Sequence, residues 1–331
     1  MINKPRVGLA GDPDSRWRLV ADIGGTHARF ALVDEYGALE SQRTLDCDAF
    51  DGPAAAAQYY LNDVGVGSIN AAAIAVATAV YEDRIAFTNR AAWSFSIREL
   101  GDQLGVGKRF QVINDFTALA LSLPRLEARD LIRVGGGRGD PNAPLAVVGP
   151  GTGLGVSGAI PTRAGWHALA TEGGHVTLSP GNEREAELLL LLTRRFGHVS
   201  AERVLSGPGL VNLYHANHEL AGTEGEDLQP ADITERGLAD ACDICRNVLD
   251  DFCAMLGTVV GNVVLTLGAR GGAFIGGGIV PRLAPIFADS PFRERFETHG
   301  RLTGYLEDVP CHIVTAQYPA LVGALAALQR D

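Results

Sequence analysis

The sequence predicts an α/β protein made of two related halves. Three apolar segments within residues 18–45 are separated by turn residues, which is the pattern of an antiparallel three-strand unit. The same pattern restarts at residue 145 and runs to residue 170, about 127 residues further along the chain. Strands alternate with helical segments after the first unit, as in α/β proteins. The repeat indicates a duplicated fold with a cleft between its halves and a glycine turn from each half facing that cleft.

In the first half, apolar alternation and turn residues define the expected elements. Strands are predicted at 18–23, 27–34, 39–45, 70–78, near 84–87 and at 109–113, and helices at 52–62, from Ser96 and at 115–123. A glycine- and proline-rich run at 135–144 is the first candidate for a linker.

In the second half, helices are expected to dominate after residue 171. Strands are predicted at 145–148, 154–160, 166–170 and 273–275, and helices at 183–196, 200–207, 210–219, within 233–267, from Ile279 and at 321–329. The acidic loop at 221–230 is expected to be mobile.

The charge balance argues against nucleic acid and anionic membranes as partners. The net charge is −11, and no block of basic residues is present to neutralise phosphates. The longest apolar stretch, residues 259–280, is interrupted by Asn262, Arg270 and several glycines, so no membrane-spanning helix is predicted. The polar residues 1–17 lack a signal-peptide core and are expected to form a flexible extension. Five scattered cysteines suit the cytoplasm.

Cys242 and Cys245 form a Cys-x-x-Cys motif. A zinc site would need a second pair of cysteines or histidines at a suitable spacing. The surrounding residues 233–267 instead show the period of one or two long helices, with apolar side chains on one face. The sequence therefore predicts core or half-buried helix cysteines rather than a metal site.

Three glycine turns are candidates for phosphate binding, because backbone N–H groups without a neighbouring Cβ can approach phosphate oxygens. Asp22, at the end of the first strand, could hold Mg²⁺ directly or through water. An ordinary tight turn is the alternative at each position. The turns comprise Gly24, Gly25 and Thr26, then Gly151, Thr152 and Gly153, then Gly276, Gly277 and Gly278.

Two other phosphate motifs fit less well. Residues 105–109 resemble a Walker A loop, but the spacing and Arg109 do not match it. Residues 153–158 match Gly-x-Gly-x-x-Gly, but the segment continues as a strand rather than entering a helix. A dinucleotide-binding dehydrogenase remains an alternative hypothesis.

Four further residues have both a structural and a chemical interpretation. Asp115 follows a strand and begins a helix, so it is either an N-cap or a base that accepts a proton from a hydroxyl. Glu172 and His175 lie on one turn, which is either a binding segment or a surface turn. Glu202 is in a first helical turn, where an acid also offsets the helix dipole.

Six motifs follow one another along the chain: Asp22-Ile-Gly-Gly-Thr26, Asn114-Asp115-Phe-Thr-Ala118, Gly151-Thr-Gly-Leu-Gly155, Glu172-Gly-Gly-His175, residues 200–210 and residues 276–282. Taken in order, these motifs strongly resemble bacterial ATP-dependent glucokinase over nearly all of residues 18–330. That resemblance implies an α/β fold of two RNase H-like, actin-like ATPase domains around a cleft, with mixed sheets and flanking helices, usually as a homodimer. The implied domains are a small one at 18–124 plus 317–331 and a large one at 125–316, after the extension at 1–17.

The resemblance also implies the reaction and the roles of residues. Asp115 would be the general base that takes the proton of the 6-hydroxyl as glucose attacks the γ-phosphate of MgATP, giving glucose 6-phosphate and ADP in the first step of glycolysis. Asn114, Glu172, His175 and Glu202 would hold the sugar. Asp22 with the turns at 24–26 and 151–153 would address Mg²⁺ and the phosphates, and the turn at 276–278 the adenosine.

A non-catalytic regulator that senses sugar or nucleotide on the same fold is the alternative. Regulators of this superfamily commonly carry a helix-turn-helix before the kinase fold, and 17 residues are too few for one. The cysteine-rich zinc motif of the related repressor and kinase family is also absent after His175. The enzyme is therefore the first hypothesis.

Overall fold

The computed structural model describes residues 15–87 and 91–329, and its contacts divide the chain into two compact units. The first unit comprises the chain up to Arg125 together with Tyr318 onward, and the second comprises Leu126–Gln317. Residues 1–14 of the expected extension lie outside the described residues. The last part of that segment is tied to the first unit, because the side-chain amide of Asn70 donates to the Ser15 carbonyl over 2.7 Å and its backbone N–H to the Trp17 carbonyl over 2.9 Å.

The elements of the chain up to Arg125 follow the predicted order closely. They are β1 (Arg18–Ile23), β2 (His27–Val33), β3 (Leu39–Asp46), α1 (Pro53–Asp63), β4 (Ala71–Val76), β5 (Arg84–Ile85), β6 (Phe95–Ser96), α2 (Ile97–Gln103), β7 (Phe110–Asn114) and α3 (Asp115–Ser122).

Among the described residues, the rest of the chain forms six strands and nine helices. They are β8 (Leu131–Val134), β9 (Leu145–Pro150), β10 (Leu154–Thr162), β11 (Gly165–Leu169), α4 (Glu183–Phe196), α5 (Ala201–Val204), α6 (Gly207–Ala221), α7 (Pro230–Leu238), α8 (Asp243–Leu267), β12 (Gly272–Ile275), α9 (Val280–Phe287), α10 (Phe292–Glu297), α11 (Thr303–Glu307), β13 (Cys311–Val314) and α12 (Pro319–Leu328).

The sheet of the first unit has the strand order β3-β2-β1-β4-β7. β1 pairs antiparallel with β2 and parallel with β4, and β4 pairs parallel with β7. In this register Ile23 lies beside Val76, and Val76 lies beside Asn114. The carboxyl ends of the three parallel strands therefore meet at one edge, which brings Asp22 and Asp115 to the same end of the sheet.

The sheet of the second unit repeats this order as β11-β10-β9-β12-β13, with β8 added at the edge. β9 pairs antiparallel with β10 and parallel with β12, and β12 pairs parallel with β13. The duplication predicted from the two three-strand units is confirmed by this repeated order. β8, which pairs antiparallel with β13, was not predicted, because its four residues give too short a periodic signal.

A close approach between α3 and α12 sets the position of the helix that begins at Asp115. A Cβ at Gly323 of α12 would overlap the carbonyl group of Ala118 in α3. Only glycine therefore allows the two helix backbones to pack at this distance. Leu321 and Ala324 of α12 are buried against the sheet residues Val20 and Ala73, so α12 fixes α3 against β1 and β4.

The core of the second unit is built around α8. This 25-residue helix is long and apolar enough to cross a membrane by length and composition, but 67% of its most apolar window is buried within the fold. It ends at Leu267 and is capped by Gly268, whose φ of +62° favours glycine. The stretch 233–267 thus forms two helices, α7 and α8, and α8 is a core helix of the unit.

A buried ion pair lies beside this core. Glu185 of α4 is 1% exposed, and Arg295 of α10 donates to it over 2.5 Å. The backbone N–H of Gly181 also donates to Glu185, over 2.6 Å, and Arg295 donates to the hydroxyl of Thr258. Because both charges are paired and hydrogen-bonded, burial does not leave either one uncompensated. The pair fixes the loop that precedes α4.

One sequence-based expectation about a loop is wrong, and a second stays a prediction. The linker candidate at 135–144 lies inside the second unit, where Gly139 N–H donates to the Asp308 carbonyl over 2.9 Å, so the linker interpretation is wrong. In the acidic loop at 221–230, residues 221–227 are exposed, Leu228 is buried, and Arg236 donates two hydrogen bonds to Glu226. The mobility expected for this loop stays a prediction.

Candidate functional site

Asp22 lies at the end of β1 and is paired with an arginine that the sequence reasoning missed. Antiparallel pairing places Arg29 of β2 opposite Asp22, and the guanidinium donates to Oδ2 over 2.8 Å. Burial raises the pKa of Asp22, and the charge and hydrogen bond of Arg29 oppose that rise. The register of the hairpin was the signal that could have revealed this pair.

The structure corrects the capping interpretation of Asp115. The N-cap of α3 is Asn114, whose side-chain oxygen accepts from the N–H groups of Phe116 over 2.9 Å and Thr117 over 3.2 Å. The Asn114 amide donates to the Thr78 carbonyl over 3.3 Å. Asp115 is instead the first helical residue, so its carboxylate is not needed as the cap and is available for chemistry.

The electrostatic setting of Asp115 favours a proton acceptor near neutral pH. Burial raises its pKa to about 6, the N–H of Phe116 opposes that rise, and the negative charge of Asp22 adds to it. A carboxylate with a pKa near the working pH is partly deprotonated there and still binds a proton well. Asp22 and Asp115 therefore lie at the same edge of the first sheet, where the charge of Asp22 contributes to the raised pKa of Asp115.

The glycine turn after β1 is partly used by the hairpin itself. Gly24 N–H donates to the His27 carbonyl over 3.0 Å, and the Thr26 carbonyl accepts from Cys47 N–H over 2.9 Å. Gly24 therefore cannot offer its N–H to a phosphate in this conformation. Gly25 and Thr26 are exposed at the tip of the turn.

In the second unit, Glu202 is joined directly to the glycine turn between β9 and β10. Its Oε2 accepts from the backbone N–H of Leu154 over 2.9 Å, and a Cβ at Gly153 would overlap the same oxygen. The Gly151 carbonyl accepts from Gly207 N–H over 2.8 Å. Glu202 and the turn at 151–153 are therefore held together by direct contacts.

The segment that carries Glu172 and His175 packs against the same strand. A Cβ at Gly174 would overlap the Leu154 carbonyl, so the segment can approach β10 only through glycine. His175 Nδ1 lies 3.9 Å from Glu202 Oε1. The structure therefore brings together His175, Glu202 and the turn, and they line a polar cavity of about 310 Å³ with Thr152, Ser206 and Arg203.

The third glycine turn lies next to the second. Gly276 N–H donates to the Val148 carbonyl of β9 over 2.9 Å, and Gly277 has a φ of +77°. A Cβ at Gly277 would also overlap the Pro150 carbonyl. The turns at 151–153 and 276–278 are thus adjacent at the ends of β9 and β12.

The competing motifs are not supported. Residues 153–158 lie within the turn and β10, and no helix follows them, so the dinucleotide-binding hypothesis is wrong. Residues 107–109 form a short 3-10 turn before β7 rather than a phosphate loop. No group of three or more His, Cys, Asp or Glu side chains suited to a metal ion occurs among residues 15–87 and 91–329.

The strand order of the first sheet is repeated in the second. Two acids lie at the edge of the first sheet, and a glycine turn bonded to a glutamate lies in the second. Together these features define a sugar kinase of the actin-like ATPase fold. The chain belongs to the glucokinase family, whose model matches residues 19–331. It is accordingly a phosphotransferase that phosphorylates glucose with ATP.

The relatives span nearly the whole chain. A glucokinase from Aromatoleum aromaticum is 50% identical over 320 residues, which is 96% of each chain. The crystal structure of a glucokinase from an Antarctic psychrotroph is 35% identical, with a TM-score of 0.89, and covers 96% of this chain and 100% of that one. A glucokinase of the ROK family from Streptomyces griseus, solved with glucose and AMPPNP, has a TM-score of 0.60 at 18% identity over 93% of this chain and 97% of that one, which shows the fold alone.

Proposed function

We propose that the enzyme transfers the γ-phosphate of MgATP to the 6-hydroxyl of glucose, with Asp115 as the general base. The observation that carries this proposal is the position of Asp115 at the end of β7, half-buried, with its pKa raised to about 6. A base at the carboxyl end of a parallel strand stands where ligands of α/β sheets bind. A carboxylate oxygen of Asp115 takes the proton of the 6-hydroxyl as the sugar oxygen bonds to the γ-phosphorus. The bond from that phosphorus to the β,γ-bridging oxygen breaks, and ADP leaves.

The sugar is held by Asn114, Glu172, His175 and Glu202 in this proposal. Carboxylates accept from sugar hydroxyls, whereas an amide or imidazole can also donate. Leu154 N–H occupies Oε2 of Glu202, which fixes the carboxylate and directs Oε1 away from that bond. The Asn114 oxygen serves the cap of α3, so its amide nitrogen is the atom that contacts the sugar. Holding the ring in one orientation is what a phosphoryl transfer most requires.

The nucleotide is bound by the glycine turns, with Gly24, Gly25, Thr26, Gly151, Thr152 and Gly153 near the phosphates and Gly276, Gly277 and Gly278 near the adenosine. Gly24 shapes the first turn rather than donating to a phosphate, because its N–H is bonded to the His27 carbonyl. The support is that Gly25, Gly151 and Gly278 have no positive φ and open space where a Cβ would stand, with no atom within 4 Å of that point. Neither packing nor backbone conformation demands glycine at these three positions. In this proposal, the three positions leave room for a phosphate or nucleotide to approach the backbone closely.

Mg²⁺ fits the carboxylate of Asp22. Mg²⁺ is usually held by one or two carboxylates together with phosphates and water, rather than by an all-protein cage. Asp22 lies beside the first glycine turn, and Arg29 uses its Oδ2. When bound, the ion would neutralise charge on the phosphates. Asp22 would hold it through Oδ1 or through water.

The setting of the enzyme is part of the same proposal. We infer a cytoplasmic homodimer that acts at the first step of glycolysis, with no nucleic acid or membrane partner. All five cysteines are free thiols, as suits a reducing compartment. The homodimer follows from the family resemblance, and light scattering coupled to gel filtration measures it.

A panel of sugars and phosphate donors tests the function directly. Glucose, mannose, fructose and glucosamine are each incubated with ATP, ADP or polyphosphate, with and without EDTA, and the products are assigned by ³¹P and ¹³C NMR. The proposal expects glucose 6-phosphate and ADP from glucose and ATP, and loss of turnover with EDTA. Absence of ADP formation with every sugar would favour the non-catalytic regulator instead.

A further inference from the structure

The two cysteines at the start of α8 are arranged as a reactive dithiol. Cys242 is the N-cap of this helix, and its Sγ accepts from the backbone N–H of Cys245 over 3.3 Å. Cα atoms three residues apart at a helix start are about 5–6 Å apart, which is within the range of about 4.4–6.8 Å that disulfides span.

The two thiols differ in access to solvent. Cys242 is half-buried, whereas Cys245 is fully buried in the core of the second unit. The carbonyl of Cys245 lies against Gly237, where a Cβ would be 2.9 Å away, so Cys245 has little room to move. Only Cys242 can meet a reagent from solution, and Cys245 can react only with a partner that is already attached to Cys242.

We propose that Cys242 and Cys245 form a reversible intramolecular disulfide, with Cys242 as the thiol that reacts first with a low-molecular-weight disulfide. Neither the proposed catalysis nor the proposed substrate binding uses this pair. A Cys-x-x-Cys at a helix N-terminus places an accessible outer thiol one helical turn from an inner thiol, which can then resolve a mixed disulfide on the outer one.

The reaction balances as a two-step thiol–disulfide exchange. The thiolate of Cys242 attacks one sulfur of the reagent, the S–S bond of the reagent breaks, and one small thiolate leaves and takes up a proton. Cys245 then loses its proton and attacks Sγ of Cys242, and the second small thiolate leaves. Two cysteine thiols are oxidised, and one reagent disulfide is reduced to two thiols.

The surroundings of Cys245 agree with its role as the second thiol. Cys245 is 0% exposed, so its thiol does not compete for the reagent. Burial, and then the neighbouring Cys242 thiol, raise the pKa of Cys245 to about 12. The guanidinium of Arg236 opposes that rise, which favours deprotonation once the mixed disulfide exists. Arg236 is held by Glu226, and Glu226 N–H donates to the hydroxyl of Tyr214 over 3.3 Å.

The dithiol is remote from the segment of the second unit that carries Glu172 and His175. The segment containing Glu172 and His175 shares an apolar pocket with the other end of α8, through Gly173, Val259 and Val263. Val259 is about 20 Å along the helix axis from Cys245 at 1.5 Å per residue. We therefore expect the Cys242→Ser and Cys245→Ser variants, kept reduced, to phosphorylate glucose within about twofold of the wild type.

Trapping with glutathione disulfide tests the proposal. The folded protein is incubated with it, quenched in acid, alkylated in denaturant and digested with trypsin, which releases residues 237–246 with both cysteines in one peptide. The wild type should yield this peptide unalkylated and two hydrogens lighter. Cys245→Ser should accumulate a glutathione adduct on Cys242, and Cys242→Ser should leave Cys245 alkylatable. Cys253→Ser, which removes a buried cysteine of the same helix, is the matched control and should behave as the wild type.

A fully alkylated wild-type peptide would overturn the proposal. So would a glutathione adduct that persists on Cys242 of the wild type, because Cys245 would then not resolve it. The wild-type result decides the matter even where a variant fails to fold.

Discussion

The carboxylate of Glu202 accepts a 2.9 Å hydrogen bond from the backbone N–H of Leu154, although 48 residues separate them. This bond joins the first turn of α5 to the start of β10. Gly153 precedes Leu154, and the Leu154 carbonyl faces Gly174. The backbone of Leu154 and the adjacent Gly153 therefore position the Glu202 carboxylate, the glycine turn and the segment that carries Glu172 and His175.

Gly153→Ala should raise KM for glucose at least about tenfold, because the new methyl group would overlap Glu202 Oε2 and displace the carboxylate from Leu154. A tenfold change corresponds to about 1.4 kcal/mol, the scale of one lost hydrogen bond. Steady-state kinetics with a coupled ADP assay measure it. Gly136→Ala, at a position of the same unit with open space and no positive φ, is the control. An unchanged KM in Gly153→Ala would show that Glu202 does not depend on this contact.

The pH dependence of kcat/KM should report Asp115 in the free enzyme. Its pKa is raised to about 6 chiefly by burial, so kcat/KM should fall as the pH drops through about 6 and the base becomes protonated. The Asp22→Asn change removes the neighbouring charge and should lower the pKa of Asp115. The carboxyl ¹³C shift of Asp115 against pH measures this without relying on activity. A pKa that stays at its wild-type value in Asp22→Asn would contradict the coupling of the two acids.

Asp115→Asn should stabilise the protein at pH 8 and not at pH 4. A folded-state pKa raised from 3.8 to about 6 means that folding favours the protonated form. The associated stability is fully present below about pH 4 and is lost as the pH rises through about 6. At 1.36 kcal/mol per pKa unit, the ionised carboxylate costs on the order of 3 kcal/mol at pH 8, which the amide avoids. Urea unfolding at both pH values measures the difference. Equal effects at pH 4 and pH 8 would refute this electrostatic account.

Gly323→Ala should lower the unfolding free energy by about 1–3 kcal/mol, because its Cβ would overlap the Ala118 carbonyl and push α12 away from α3. Since α3 begins at Asp115, kcat should fall as well. Gly67→Ala, in the same unit with open space around the new methyl group, is the matched variant and should change neither quantity. Wild-type stability and kcat in Gly323→Ala would mean that the two helices can separate without consequence.

The local elements were predictable because each carries its own periodic signal. The strands β1, β2 and β9 and the helix α4 lie where alternation and end signals place them. The N-cap of α3 is Asn114, one residue before the candidate Asp115 considered from the sequence. Both residue types are good caps, and only the end of β7 decides between them. The prediction that the Cys-x-x-Cys motif belongs to a helix also agrees with the structure, with Cys245 in the core.

The contacts within the candidate site were not predictable from local sequence. The pair of Asp22 and Arg29 depends on the register of a hairpin, and the bond from Leu154 to Glu202 depends on how α5 packs on β10. The residues 135–144 show the same limit. Their composition specifies turns, whereas the contact of Gly139 with Asp308 decides that they belong to one folded unit.

The most direct test of the account is the turnover of Asp115→Ala with glucose and MgATP, measured together with glucose binding by calorimetry. A general base acts in the transition state, so kcat should fall by about 10²–10⁴-fold while the glucose Kd changes much less. Turnover within tenfold of the wild type would contradict the assignment of Asp115 as the base.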